Sequence, residues 1–286
     1  INLAQGFPDF PVSGKLISLV SDAMKKGHNQ YAPMPGVMPL REQIAIKTES
    51  LYGAAYCPEK EITVTAGATQ AIFTAITAFV RDEDEVIVFE PAYDSYVPAI
   101  RLNGGMPIPF RLKHPDYSID WDEVKRLISS RTRMIIINTP HNPTGTVLTE
   151  HDMAALEKIT RNSGILVLSD EVYEHIIFDG LRHESVCRYP GLAERSLVVC
   201  SFGKTFHATG WKTGYCLAPE ALMKEFRKTH QFMVFASNTP VQYALAEFLK
   251  DASNYSGLEA WFQAKRDAFA GLISGSRFGL TPAKGT

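Results

Sequence analysis

The sequence predicts an α/β fold built on a largely parallel sheet, and three observations predict it. Strand-length apolar runs alternate with helix-period segments along most of the chain. Some runs are continuously apolar rather than alternating, as at Val86, Ile87, Val88 and Phe89, which marks strands buried on both faces. Polar residues, prolines and glycines gather just after these runs, at the strand ends where open α/β sheets bind ligands.

Taken in order, residues 1–27 read as an N-terminal segment followed by a helix. A strand over 62–66 leads into a helix over 69–80, and a strand over 85–90 follows. Strands over 134–138, 165–169 and 197–201 continue the alternation, with a helix over 150–162 between the first two. Two helix starts carry capping signals, Thr149 with Asp152 and Asp120 with Glu123, each leading into an apolar-periodic segment. Pro140, Pro143 and Gly145 break the chain after the strand ending at Asn138, and Gly203 and Gly210 do so after the one ending near Ser201. From residue 256 the pattern changes to a long helix through Trp261 and Arg266, leaving by way of Gly271 to Gly279. The expected division is therefore an N-terminal segment (1–27), a large domain (28–255) and the start of a small C-terminal domain (256–286). Ile1 opens directly on a strand-like segment, and residues 281–286 read like the approach to a further strand, so a fragment of a longer protein is expected.

With 286 residues, 45% of them hydrophobic, the chain supplies a sizeable core. Its 29 basic and 31 acidic residues nearly cancel, so no global field favours nucleic acid or an anionic membrane, and small molecules and other protein chains are the expected partners. Four dispersed cysteines form no CxxC pair, which argues against a zinc site or a disulfide framework and fits a reducing cytoplasm. No apolar run approaches the roughly 20 residues a membrane helix needs.

Four short segments carry polar chemistry, each after a predicted strand: Gly67-Ala68-Thr69, His141-Asn142-Pro143-Thr144-Gly145, Asp170-Glu171-Val172-Tyr173, and Ser201-Phe202-Gly203-Lys204 with Thr209-Gly210-Trp211-Lys212. Each has an ordinary reading when considered alone. NPTG serves as a turn, Asp170 as a cap, Gly67-Ala68-Thr69 as a close-packed turn, and a lysine after a glycine as a solvated surface residue. Their joint occurrence resembles the fold-type I pyridoxal-phosphate aminotransferases of class I/II. Within these the sequence is most similar to the methionine, glutamine and kynurenine aminotransferase group, through Gln5-Gly6-Phe7-Pro8-Asp9-Phe10, Asn29-Gln30-Tyr31, the His-Asn-Pro-Thr-Gly loop and the segment from Ser201 to Lys212. The resemblance runs in family order over nearly the whole chain. It implies a mixed, mostly parallel sheet flanked by helices, as in the large domain of aspartate aminotransferase, with parts of a smaller α+β domain.

The resemblance also implies roles. Lys204 holds pyridoxal 5′-phosphate as a Schiff base and then moves a proton at the substrate Cα. Asp170 faces the pyridine nitrogen and favours its protonated form. Tyr173 and Asn142 hydrogen-bond the phenolate oxygen, Asn142 also approaching the substrate carboxylate. Ala68 and Thr69, at a helix start, offer amides to the phosphate with the helix dipole aiding them, joined by the Ser201 hydroxyl and the Lys212 ammonium. Many relatives carry arginine where Lys212 stands, so a point charge replaces a bidentate fork. Tyr93 stacks on the ring, an aromatic that read alone belongs to the core. Tyr31 reaches the phosphate of a neighbouring subunit, which makes a homodimer with a shared site the expected assembly. Gly6 leaves room for substrate. His207, near the lysine, reads as a structural histidine.

One departure from the pattern concerns the family's arginine that clamps the substrate carboxylate. It lies past Thr286 in such chains, and neither Arg266 nor Arg277 sits in its motif. The expected activity is transamination of a neutral or aromatic amino acid, methionine foremost, with a 2-oxo acid. The alternatives are β-elimination on cysteine conjugates and a chain that binds the cofactor without turnover. A dinucleotide-binding dehydrogenase, the rival at the level of fold, lacks a GxGxxG fingerprint here.

Overall fold

The computed structural model describes residues 10–286. Two helices, α1 (Gly14–Lys25) and α2 (Met38–Tyr52), precede the first strand, β1 (Ile62–Thr65). Then come α3 (Ala68–Phe79), β2 (Glu85–Glu90), α4 (Tyr96–Leu102), β3 (Met106–Arg111), α5 (Trp121–Leu127) and β4 (Thr132–Asn138). The chain continues through α6 (Glu150–Thr160), β5 (Leu166–Asp170), α7 (Pro190–Ala193), β6 (Ser196–Ser201), α8 (Phe202–Thr205) and β7 (Gly214–Leu217). It closes with α9 (Glu220–Met233), α10 (Thr239–Phe248) and α11 (Leu258–Ile273). The strands form one sheet in the order β1-β7-β6-β5-β4-β2-β3. β7 is antiparallel to both β1 and β6, and the other pairings are parallel, so the sheet is mixed and mostly parallel as the resemblance implies.

The continuous apolar runs are explained by burial on both faces. Along β2 and β4, Ile87, Phe89, Ile135 and Ile137 join one core cluster, which takes in residues of α1, α2, α5, α6 and α10. The intervening Val86, Val88, Met134 and Ile136 join a second cluster with residues of α3, α4 and α9. Each such side chain stabilises the fold by roughly 1.5–3 kcal/mol through removal from water, so a parallel strand with both faces covered reads as an unbroken hydrophobic string.

Helix starts follow their capping chemistry. Thr149 and Asp152 form a reciprocal box, with Thr149 N–H donating to Asp152 Oδ2 at 2.7 Å and Asp152 N–H to Thr149 Oγ1 at 3.3 Å. Asp120 caps α5 alone, accepting from the amides of Asp122 and Glu123, while the Glu123 carboxylate turns to Lys113 at 3.8 Å. The strands that periodicity does not reveal are β3 and β7. Pro107 and Pro109 disguise β3, an edge strand where a missing N–H is tolerated. β7 has only four residues and begins on glycine.

No residue of α11 is buried. The helix is tied back by Arg266, whose guanidinium meets Asp179 at 2.6 and 2.8 Å. Residues 284–286 return to the large body instead of starting a full strand: Phe178 N–H donates to the Lys284 carbonyl at 2.9 Å, and Ile177 and Gly285 form an isolated bridge.

Candidate active site

Strand direction assembles the site. β2, β4, β5 and β6 are parallel, and β1, related to β6 through two antiparallel pairings with β7, runs the same way. Five carboxyl ends therefore share one edge, and the amino end of antiparallel β7 joins them. Ala68 and Thr69 follow β1, Tyr93 follows β2, Asn142 follows β4, Asp170 ends β5 with Tyr173 just beyond, Ser201 ends β6 with Lys204 on α8, and Lys212 precedes β7. All of them line one cavity of about 810 Å³.

On one side of that cavity lies the start of α3. Gly67, at φ +85°, is its N-cap and adopts a backbone conformation that only glycine enters without strain. The first amides of the helix have no acceptor within it, and they are Ala68 and Thr69. Gly214 underlies them, since a Cβ there would lie 2.6 Å from the Cys200 carbonyl oxygen and 3.1 Å from Ala68 N. A Cβ at Gly67 would stand 3.6 Å from Lys212 Nζ, which places the ammonium beside the same turn. Lys212 itself holds a left-handed φ of 51°. Thr69 Oγ1 and Tyr93 Oη hydrogen-bond at 3.1 Å, tying the helix start to the aromatic after β2.

Across the cavity Asp170 is buried, 4% exposed. It accepts from the Tyr96 hydroxyl at 2.6 Å and from Val172 N–H at 3.3 Å. Burial pushes its carboxyl up to about 6, and the Tyr96 and Val172 hydrogen bonds oppose that rise. Burial, with Asp170 adding to it, pushes the Tyr173 phenol up to about 12, so its hydroxyl remains a donor. Lys204 Nζ sits 5.5 Å from the centre of the Tyr173 ring. Burial lowers its pKa first and the Lys212 charge second, with Asp170 working against both. Ser201 Oγ accepts from Gly203 N–H at 3.1 Å and thereby caps the short helix that carries Lys204.

Two buried carboxylates that flank these groups hold the 170–174 turn. Glu171 accepts from Ser169 Oγ at 2.8 Å and Val186 N–H at 3.1 Å, with His183 Nε2 at 2.8 Å. Glu174 meets Lys47 Nζ at 2.7 Å and the hydroxyls of Tyr52 and Tyr215. Burial alone would raise Glu174, but Lys47 and His175 hold it well below the carboxylate range. Asn138 provides a further tie: its Oδ1 accepts from Asn142 N–H at 2.7 Å and its Nδ2 donates to the Asp170 carbonyl at 2.9 Å. Sequence reasoning overlooks Asn138 and Tyr96. The available signals were a polar residue ending an apolar strand, and a second tyrosine three positions after Tyr93.

Tyr31 stands apart from this group. It is 86% exposed, packs edge-on to Phe235 at 5.6 Å, and lines a different cavity with residues 29–30 and 236–240. His207 packs against Phe10 and Phe262. Gly6 lies outside the described residues.

This donor set fits pyridoxal phosphate. A buried carboxylate that forms no ion pair among the described residues calls for a positive partner, which a protonated pyridine supplies. A glycine-built helix start with an ammonium beside it suits a phosphate dianion. A lysine of lowered pKa suits an aldehyde. Comparison with known proteins agrees. The family model for aminotransferase class I and II matches residues 1–285. Methionine aminotransferase of Escherichia coli strain K12 is 50% identical over 287 residues, covering 100% of this chain and 74% of that protein. A probable N-succinyldiaminopimelate aminotransferase of Mycobacterium tuberculosis is 37% identical over 289 residues, covering 100% of this chain and 73% of its own length. The crystal structure of YbdL from Escherichia coli, described as having a methionine aminotransferase function, superposes with a TM-score of 0.98 at 49% identity, over 100% of this chain and 76% of that one. The chain belongs to the class I and II aminotransferases, enzymes that depend on pyridoxal phosphate.

Proposed function

We propose that this aminotransferase acts on methionine and similar neutral or aromatic L-amino acids, passing the amino group to a 2-oxo acid. The observation that carries the reading is the convergence of Lys204, Asp170 and the α3 start on one cavity. The similarity to a methionine aminotransferase supports the choice of substrate. When bound, the cofactor supplies an electron sink for the charge left at the substrate Cα. Lys204 provides the amine that anchors it, and then takes and returns a proton at that carbon. Asp170 would hold the positive charge that keeps the sink effective, and Tyr173 and Asn142 would donate to the phenolate oxygen. Asn142 would also meet the substrate carboxylate. Ala68, Thr69, Ser201 and Lys212 would hold the phosphate, and Tyr93 would cover the ring.

The same reading makes the working unit a homodimer in a reducing, cytoplasmic setting. Tyr31, too exposed to serve its own cavity, would complete the partner's phosphate site, and Gly6 would leave room for substrate. The exposed Phe235 packed against Tyr31, and the exposed Phe232 on the same chain segment, favour a covered face, and four free cysteines, three of them buried, suit the compartment. Residues 256–286 would begin a smaller unit, a reading supported by an α11 none of whose residues is fully buried.

A visible spectrum tests the assignment. Pyridoxal phosphate should give an absorbance band that borohydride fixes on Lys204, and methionine should shift the band more than aspartate does. Absence of the band removes the cofactor reading. Pyruvate and ammonia released from a cysteine conjugate, without amino transfer to an added oxo acid, would favour elimination instead.

Tyr96→Phe offers a finer check. The lost phenol hydrogen bond favours ionised Asp170, so its carboxyl should rise further and the acid limb of kcat/KM should move up by about one pH unit. An unmoved limb would show that Asp170 ionisation does not govern it.

A further inference from the structure

The phosphate cradle raises a question that its own residues leave open. The N-cap of α3 is Gly67, which has no side chain to cap the helix. The usual pairing of N-cap and N3 side chains is therefore half absent. Gln70 stands at N3 and, from outside the cavity, reaches back past the N-cap to the residue before it.

Gln70 Oε1 accepts from Ala66 N–H at 3.0 Å, so it grips the residue just before the N-cap glycine. The orientation of the amide follows from chemistry, because only its oxygen can face an N–H donor. The Nε2 end then points the other way, donating to Thr74 Oγ1 at 2.5 Å and facing His230 Nδ1 at 3.2 Å. Both partners are fully buried. Burial lowers His230 to about 4, so the ring is neutral and its Nδ1 can accept. Thr74 also reaches Met233 Sδ at 3.3 Å, near the end of α9. One side chain thus spans from the turn before α3 to the buried seam between α3 and α9. By engaging Ala66 N–H, it leaves the Ala68 and Thr69 amides as the donors beside the cavity. Thr65 Oγ1, donating to the Gly67 carbonyl at 3.1 Å, braces the same turn from β1. Gln70 does not line the cavity.

We propose that Gln70 is a positioning residue for phosphate binding: its amide, clamped by Thr74 and His230, sets the turn at 66–67 so that the α3 amides and Lys212 present one cradle. Neither leucine, which lacks both amide ends, nor glutamate, which brings a charge and no donor, reproduces this two-ended contact. The inference rests on the cofactor reading above, and its test separates the two.

Dissociation constants for pyridoxal phosphate and for pyridoxal, which lacks the phosphate, are measured by absorbance titration on the wild type, Gln70→Leu and Thr74→Val. The wild type should prefer the phosphorylated form strongly. In Gln70→Leu that preference should fall about tenfold, the scale of one hydrogen-bonded contact, while pyridoxal affinity stays within about twofold. In Thr74→Val, which keeps shape and removes the hydroxyl that meets Gln70 and Met233 while His230 stays, the preference should fall about threefold. A preference unchanged in Gln70→Leu, or equal losses for both ligands, overturns the proposal. If Gln70→Leu fails to fold by circular dichroism, Thr74→Val decides, and an unchanged preference there overturns it. A wild type that binds both ligands equally would overturn the cradle itself, an outcome read before any variant is considered.

Discussion

Lys204→Ala is expected to lower turnover with methionine and a 2-oxo acid by roughly four orders of magnitude, at the upper end of what a positioned acid–base group contributes. Among the described residues that line the cavity, the amine is the nucleophile whose pKa is lowered. Burial and the Lys212 charge both disfavour its ammonium form, and the Tyr173 ring lies 5.5 Å away. The variant should still bind the cofactor through the α3 amides and Lys212, which do not depend on residue 204. Stopped-flow absorbance on cofactor-loaded protein measures the loss, and a small primary amine added in solution should restore part of the rate. Turnover above a tenth of the wild-type value would remove Lys204 from the reaction.

Asp170→Asn is expected to act in opposite directions on activity and on stability. A buried charge deprived of its partner costs about 3–5 kcal/mol, which corresponds to a loss of roughly two to four orders of magnitude in kcat/KM. The cofactor-free protein should behave otherwise. There the folded-state carboxyl is raised to about 6 from 3.8, mainly by burial, so ionisation weakens the fold. The sign follows: stability from this group is fully present below the unfolded pKa and is lost as pH rises through about 6. At pH 8 the asparagine variant should exceed the wild type by up to about 3 kcal/mol, and the difference should vanish below the unfolded pKa of 3.8. Thermal melts of cofactor-free protein across that range measure it. A variant less stable than the wild type at pH 8 would show that Asp170 is held ionised without a cation.

The opposition between these two effects accounts for the surroundings of Asp170. Tyr96 and Val172 recover part of the burial penalty, Asn138 ties its carbonyl to the loop carrying Asn142, and Glu171 and Glu174 anchor the turn on either side. A group that is unfavourable until its partner arrives requires a rigid frame, because relaxation toward water would dissipate the strain that favours binding.

Local chemistry is what the amino-acid order makes legible. Continuous apolar runs revealed β2 and β4 because strands covered on both faces need no polar side, and the Thr149–Asp152 box revealed the start of α6 because its hydrogen bonds span only three residues. The resemblance carried by the segments around Asn142, Asp170 and Lys204 named the residues that line the cavity, since each follows its own strand. What only the tertiary structure decided depends on contacts between distant segments. β3 and β7 draw their identity from neighbours, one tolerating prolines at the edge and the other pairing on both sides in only four residues. Tyr96 meets Asp170 across 74 positions, Lys47 meets Glu174 across 127, and Gln70 meets His230 across 160, separations that no periodicity encodes. A side chain's type is written in the sequence, but the partner that gives it a charge state and a direction is supplied by the fold.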